Sequence, residues 1–226
     1  MPRKSRPLER SDGAFRDSSI VVIACEDTHA VKQYFAKFRA RRVQFRVLET
    51  DDGRSSPAAV IARLNKYCVD EQIGDEDELW MCIDADHWIR GNHQRELSQV
   101  LQECRNKGYG IAISNPCFEV WLLLHFIDVG DGLLSEMLGH ASDQSITKAE
   151  RSSIRCDKFE SRLRAVAGGY NKSNVSRLSI EVSQVLEAIE RARLLDDATS
   201  DVPICPGTRV YKLIDTLQQR DSIELG

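Results

Sequence analysis

Between residues 19 and 127, four short apolar runs alternate with four stretches of helical periodicity, and nothing else in the chain constrains its fold as strongly. Residues 19–24 (SIVVIA) form a continuous run rich in β-branched residues, as a strand covered on both faces requires. After Cys25-Glu26-Asp27-Thr28 comes a helical pattern in which Val31, Tyr34, Phe35 and Phe38 fall at i, i+3, i+4 and i+7. Val43, Phe45 and Val47 alternate as a second strand. Ser56 and Pro57 predict the cap and first position of a second helix, with Val60, Ile61, Leu64 and Tyr67 as its stripe. Residues 79–83 give a third strand, and a helix over roughly 92–107 follows, ended by Gly108. Residues 109–113 give a fourth strand. Asn115 and Pro116 then predict the cap and first turn of a helix, apolar on nearly all sides through Ile127. Repeated βα units with short connections predict an α/β fold, a parallel sheet of about four strands with helices on both faces.

From Gly130 the pattern becomes helical without strands. Thr147 with Glu150, and Asp157 with Glu160, have capping-box spacing. Gly168-Gly169 breaks the periodicity. A longer helix over roughly 176–195 places Leu178, Val182, Val185, Leu186 and Ile189 on one side. A last helix turns Val210, Leu213, Ile214 and Leu217 inward. Three parts follow: a flexible basic arm over 1–18, an α/β domain over 19–127, and a helical C-terminal part over 128–226 packed on the sheet. The net charge of −4 argues against coating nucleic acid by bulk charge, although a local basic groove stays open. The seven cysteines are scattered with no C-x-x-C pair, which speaks against a zinc ribbon or a thioredoxin-type site. No apolar run approaches the roughly 18 residues of a membrane span, and no secretory leader pattern is visible. A cytoplasmic protein without membrane contact is the expectation.

The third strand ends abruptly in Asp84-Ala85-Asp86, and in an extended segment both carboxylates point the same way. In parallel α/β sheets, ligands bind beyond the carboxyl ends of the strands. Glu26 ends the first strand there, and Glu119 follows the fourth by one helical turn. Hard oxygen ligands of this kind suit Mg²⁺ or Mn²⁺, and such an ion polarises a phosphodiester and activates water. Glu119 has two readings: a metal ligand, or an acceptor for backbone amides near Asn115. His87 adjoins Asp86 and is read either as a metal or phosphate contact or as part of a surface turn. Lys172 is a candidate for contacting phosphate as charge develops. Arg39, Arg41 and Arg42 are either a solvated helix end or part of a phosphate-tracking groove. His125 reads as a core histidine, and Trp88 and Trp121 as packing residues.

A strand-end glutamate followed by D-x-D on a later strand resembles the Toprim domain of topoisomerases, primases and overcoming-lysogenisation-defect nucleases. More closely, CEDTHAVKQYF (25–35), CIDADHW (82–88) and ISNPCFEVWLLLHF (113–126) resemble the RloB-like family. YNK (170–172) and PGTRVYKL (206–213) are weaker matches to its tail. The resemblance implies a Toprim-like fold and a role in abortive phage resistance beside a partner ATPase. It implies Glu26 as metal ligand or general acid/base, and Asp84 and Asp86 as metal ligands; His87 and Asn115, beside these strand ends, are candidate nucleic-acid contacts. Where the family reads C-E-G-x-x-T-E, this chain has Asp27 in place of the Gly and Ala30-Val31 in place of Thr-Glu. Asp27 is a candidate substitute ligand. The expectation is therefore a Mg²⁺- or Mn²⁺-dependent nuclease acting on DNA or RNA. The alternative is a non-catalytic Toprim-like subunit that docks onto an ATPase or other effector. A homo-oligomer is left open.

Overall fold

The computed structural model describes residues 18–27, 29–50, 53–89, 93–129, 132–140, 143–197 and 199–226. The expected basic arm, apart from Ser18, lies outside the described residues. The strands are β1 (Ser19–Cys25), β2 (Phe38–Arg39), β3 (Val43–Leu48), β4 (Glu78–Asp84), β5 (Gly110–Asn115), β6 (Gly207–Thr208) and β7 (Glu224–Leu225). The helices are α1 (Ala30–Phe35), α2 (Pro57–Asp70), α3 (His93–Asn106), α4 (Glu119–Leu123), α5 (Leu133–Leu138), α6 (Lys148–Ser153), α7 (Cys156–Val166), α8 (Val182–Leu195) and α9 (Val210–Arg220).

The central sheet has the order β3-β1-β4-β5-β6. Its first four strands are parallel, as the βα repeats predict, and β6 pairs antiparallel with the end of β5. β6 was not foreseen, because two residues leave no periodic signal. The continuous apolar run of β1 finds cover on both faces. Val21, Ile23 and Cys25 join the cluster that includes α1, α4, α7, α8 and α9, whereas Val22 and Ala24 join the smaller one under α2 and α3. Each Val or Ile among them contributes roughly 1.5–3 kcal/mol on full burial. The helical part after residue 128 thus shares one apolar core with a face of the sheet. Among the described residues no helix is long and apolar enough to cross a membrane.

Local signals hold where capping chemistry is explicit. The Ser56 hydroxyl accepts from the Ala59 N–H at 3.2 Å with Pro57 behind it, and both bonds of the Thr147/Glu150 capping box are present. Elsewhere the tertiary fold overrides periodicity. α1 stops at Phe35, and Phe38 lies in β2, paired with Leu225 at the far end of the chain. It still packs on Tyr34 and Phe45, so the aromatic spacing is satisfied without a helix. The expected helix through Ile127 is α-helical only over Glu119–Leu123. Asn115 is not its cap but the last residue of β5, with its amide donating to the Pro203 carbonyl at 2.8 Å. α7 begins at Cys156, which puts Asp157 inside the first turn rather than in the cap position. α8 begins at Val182, and Leu186 is 43% exposed because the core-facing stripe runs through Val185, Ala188 and Ile189.

His125 is the satisfied core histidine that its apolar surroundings suggest. Its Nδ1–H donates to the Trp121 carbonyl at 3.0 Å, leaving Nε2 to accept from the Tyr34 hydroxyl at 3.1 Å. Burial pushes its pKa down to about 4, against smaller opposing contributions from the backbone around Trp121 and Leu122. The unfolded chain takes up this proton near pH 6.5, and the folded chain only near pH 4. Stability is therefore lost as pH falls from about 6.5 to about 4, by roughly 3 kcal/mol for this residue. Urea unfolding of the native protein and of His125→Leu across that window should show a shallower acid slope in the variant; parallel slopes would contradict a buried neutral imidazole.

Candidate active site

The carboxyl ends of β1, β4 and β5 bring the expected acids together. Glu26, one residue past β1, accepts the Asp84 backbone N–H on Oε1 and the Trp88 indole N–H on Oε2, the latter at 3.4 Å. Trp88 is therefore more than packing. Burial, with a contribution from Asp86, pushes Glu26 up to about 7, against those two hydrogen bonds and Lys172. Asp84 shares the face of β4 that Trp80 and Cys82 occupy. Burial first, then the negative charges of Glu26 and Glu119, drive its carboxyl well above the ordinary range.

Glu119 opens α4 and is fully buried. Its Oε1 accepts from the Tyr170 hydroxyl at 2.7 Å and stands 3.7 Å from Lys172 Nζ, while Oε2 is buried without a hydrogen-bond partner. The partner is thus a phenol from the tail, not amides near Asn115. Asp27 Oδ1 accepts the backbone N–H groups of His29 and Ala30, fixing the start of α1, and its Oδ2 lies 3.4 Å from Lys172 Nζ. Burial disfavours the Lys172 charge, but Glu119, Asp84 and Asp27 outweigh it and hold the ammonium protonated.

Lys172 is placed by its own local structure. Gly168 and Gly169 turn the chain after α7 with φ of 69° and 118°. The Asn171 side chain then accepts from the Ser173 N–H at 2.9 Å, starting a 3-10 turn over Lys172–Arg177. Gln33 of α1 clasps that turn through the Ser173 carbonyl and the Ser176 N–H, and Lys37 bonds the Ser176 and Leu178 carbonyls.

Asp86 parts from Asp84. The strand ends at Asp84; the Ala85 N–H is shared between the Ser114 and Pro116 carbonyls, and the Asp86 N–H turns to Pro116. The Asp86 carboxylate accepts from the Cys156 thiol at 3.4 Å and lies 3.4 Å from His87 Nε2. With His87, His93, Ile154 and Arg155 it lines a cavity of about 240 Å³ beside the acids. His87 itself is largely exposed. Asn115 is buried and bound to Pro203. Arg39, Arg41 and Arg42 are not a helix end but surround the turn between β2 and β3, and they lie at the opposite end of the sheet. Ser19 pairs with Val43 and its N–H donates to the Arg42 carbonyl, which places Arg42 a full strand length from Glu26, about 20 Å. Parallel strands put their amino and carboxyl ends on opposite edges, so these arginines do not border the acids.

Tyr170 was missed as a site residue although it stands in the YNK pattern, because nothing local shows that residue 170 reaches residue 119. The donor set is carboxylate oxygen. The neighbouring thiols of Cys25, Cys82 and Cys117 are held protonated by burial, Cys25 up to about 12. Such a set, with a buried carboxylate oxygen lacking a donor, fits a hard divalent cation better than zinc. Among the described residues no three His, Cys, Asp or Glu side chains are closed to ligating spacing, so an ion would have to draw the acids inward. No curated protein and no solved structure matches the chain. The RloB-like protein family profile matches residues 21–217, a span that holds every strand of the main sheet from Val21 and every acid of this cluster. The chain belongs to the RloB-like family.

Proposed function

We propose that this chain is a Mg²⁺- or Mn²⁺-dependent nuclease that cuts phosphodiester bonds in DNA or RNA, acting in the cytoplasm in anti-phage defence with a partner ATPase. The observation that carries the reading is the buried, unpartnered Oε2 of Glu119 in the same cluster as Glu26 and Asp84. Glu26, Asp84 and Glu119 would hold the ion, with Asp86 at the rim. When bound, a divalent ion polarises a non-bridging phosphate oxygen and lowers the pKa of an attacking water. Where Asp84 and Glu119 alone ligate the ion, Glu26, raised by burial to about 7, is suited to take a proton at neutral pH. Lys172 supplies positive charge at the same place, and the His87, His93 and Arg155 groups around the adjoining cavity can receive a flanking phosphate.

A second reading, a non-catalytic subunit that docks onto an ATPase, is favoured by Ala30 and Val31. Both are buried, at 0% and 2% exposure, where the resemblance expects Thr-Glu. Cleavage of single- and double-stranded DNA and RNA, with Mn²⁺ or chelator and with the ATPase present, separates the two. Native protein should cut only with metal, and Glu26→Gln should lose on the order of 10²-fold or more. No cleavage under any of these conditions, with ATPase binding unchanged in Glu26→Gln, would establish the docking subunit instead.

A further inference from the structure

We infer that Lys172 is a built-in second cation of the acidic centre, so that the folded chain takes one divalent ion rather than two. This rests on the reading of the centre as a metal site. The Lys172 ammonium lies 3.4 Å from Asp27 Oδ2 and 3.7 Å from Glu119 Oε1. Both distances exceed the 2.7–2.9 Å of a direct charge-assisted hydrogen bond. The nitrogen therefore sits between the two acids as a shared counter-ion rather than bonding closely to either.

Each of those acids is fixed independently of it. Asp27 is tied to the amides at the start of α1, and Glu119 to the Tyr170 hydroxyl. Asn171 and the clasp from Gln33 fix the lysine's backbone. Two oxygens that could form the far half of a metal pair thus already face a positive charge. A dication at the same oxygens would meet that ammonium at contact range, a repulsion that protein surroundings screen incompletely. Helix α1 offers no replacement ligand beside them, because Ala30 and Val31 turn into the core. In the near half, Asp84 and Glu26 feel the same Lys172 charge from farther off, and Glu119 Oε2 has no hydrogen-bond partner. The near half can therefore hold one ion, and the lysine takes the other place.

The charge dependence is directly testable. Mn²⁺ bound per chain would be counted by titration calorimetry and by electron paramagnetic resonance of free Mn²⁺. The proteins compared would be the native chain, Lys172→Met, which keeps the stem without the charge, and Lys172→Arg. One ion is expected in the native protein, two in Lys172→Met and one in Lys172→Arg. In chelator Lys172→Met should melt several degrees below the native protein, and Mn²⁺ should restore it. Two ions in the native protein, or one in a folded Lys172→Met, would overturn the inference while leaving the metal site intact. No bound ion in the native protein would overturn the metal reading itself, and this inference with it. Should Lys172→Met fold only with Mn²⁺ present, its count in Mn²⁺ and the native count still decide.

Discussion

Asp84→Asn should abolish cleavage and make the metal-free protein more stable. The half-buried carboxylate feels two others, Glu26 and Glu119, and is held well above the ordinary carboxyl range by desolvation first and then by that repulsion. A raised carboxyl means the folded chain keeps its proton to higher pH than the unfolded one. The acid therefore costs stability as pH rises from its unfolded value near 3.8 through its folded one. Asparagine keeps the shape and removes the charge. At pH 7 the variant should melt a few degrees above the native protein. At pH 3 the gain should vanish. Activity should fall on the order of 10³-fold, because the removed charge is the one a cation most needs. Opposed effects of this kind mark a residue kept for chemistry at the expense of stability. A variant that is both active and less stable would place Asp84 among the structural residues.

Arg209→Ala should be among the most destabilising single substitutions outside the apolar core. The side chain is buried, with Nε donating to both Asp196 oxygens at 3.0 and 3.1 Å. Its remaining nitrogens donate to the carbonyls of Asp201, Asp197 and Ser200. Asp196 also accepts from the Tyr211 hydroxyl at 2.8 Å. One guanidinium thus closes the loop between α8 and β6, the loop whose Pro203 carbonyl holds Asn115 at the end of β5. Alanine would leave the buried Asp196 charge without its principal partner and remove the guanidinium donors of the Asp201 and Ser200 carbonyls, at a cost of about 3–5 kcal/mol. For a chain of this size that is a fall on the order of 10 °C, readable by thermal unfolding. Lysine should not rescue it, because a point charge cannot span an acid and three carbonyls. A shift under about 2 °C would show that the loop is held by other contacts.

The strand–helix order of the parallel strands through β5, though not the short β2, the parallel pairing and the placement of Glu26 and Asp84 at strand ends were legible in the sequence. Continuous β-branched runs, helical stripes and explicit caps are local signals, and the carboxyl edge follows from parallel topology once the strands are known. Less was legible where a residue's partner is distant. Phe38 pairs with Leu225, Asn115 holds Pro203, and Glu119 receives the Tyr170 hydroxyl. None of these pairs has a spacing that periodicity reports.

The sequence by itself determined that acids would gather at one edge of a parallel sheet, because strand direction and the residue after each apolar run are properties of the chain. Only the tertiary structure decided the membership and charge of that gathering. It separated Asp86 from Asp84, sent Arg39, Arg41 and Arg42 to the far edge, and brought Tyr170 and Lys172 in from the tail. Burial then did what no residue type does alone. By removing water from Glu26, Asp84 and Glu119, it turned ordinary carboxylates into a set that resists holding its charges unless a cation is near.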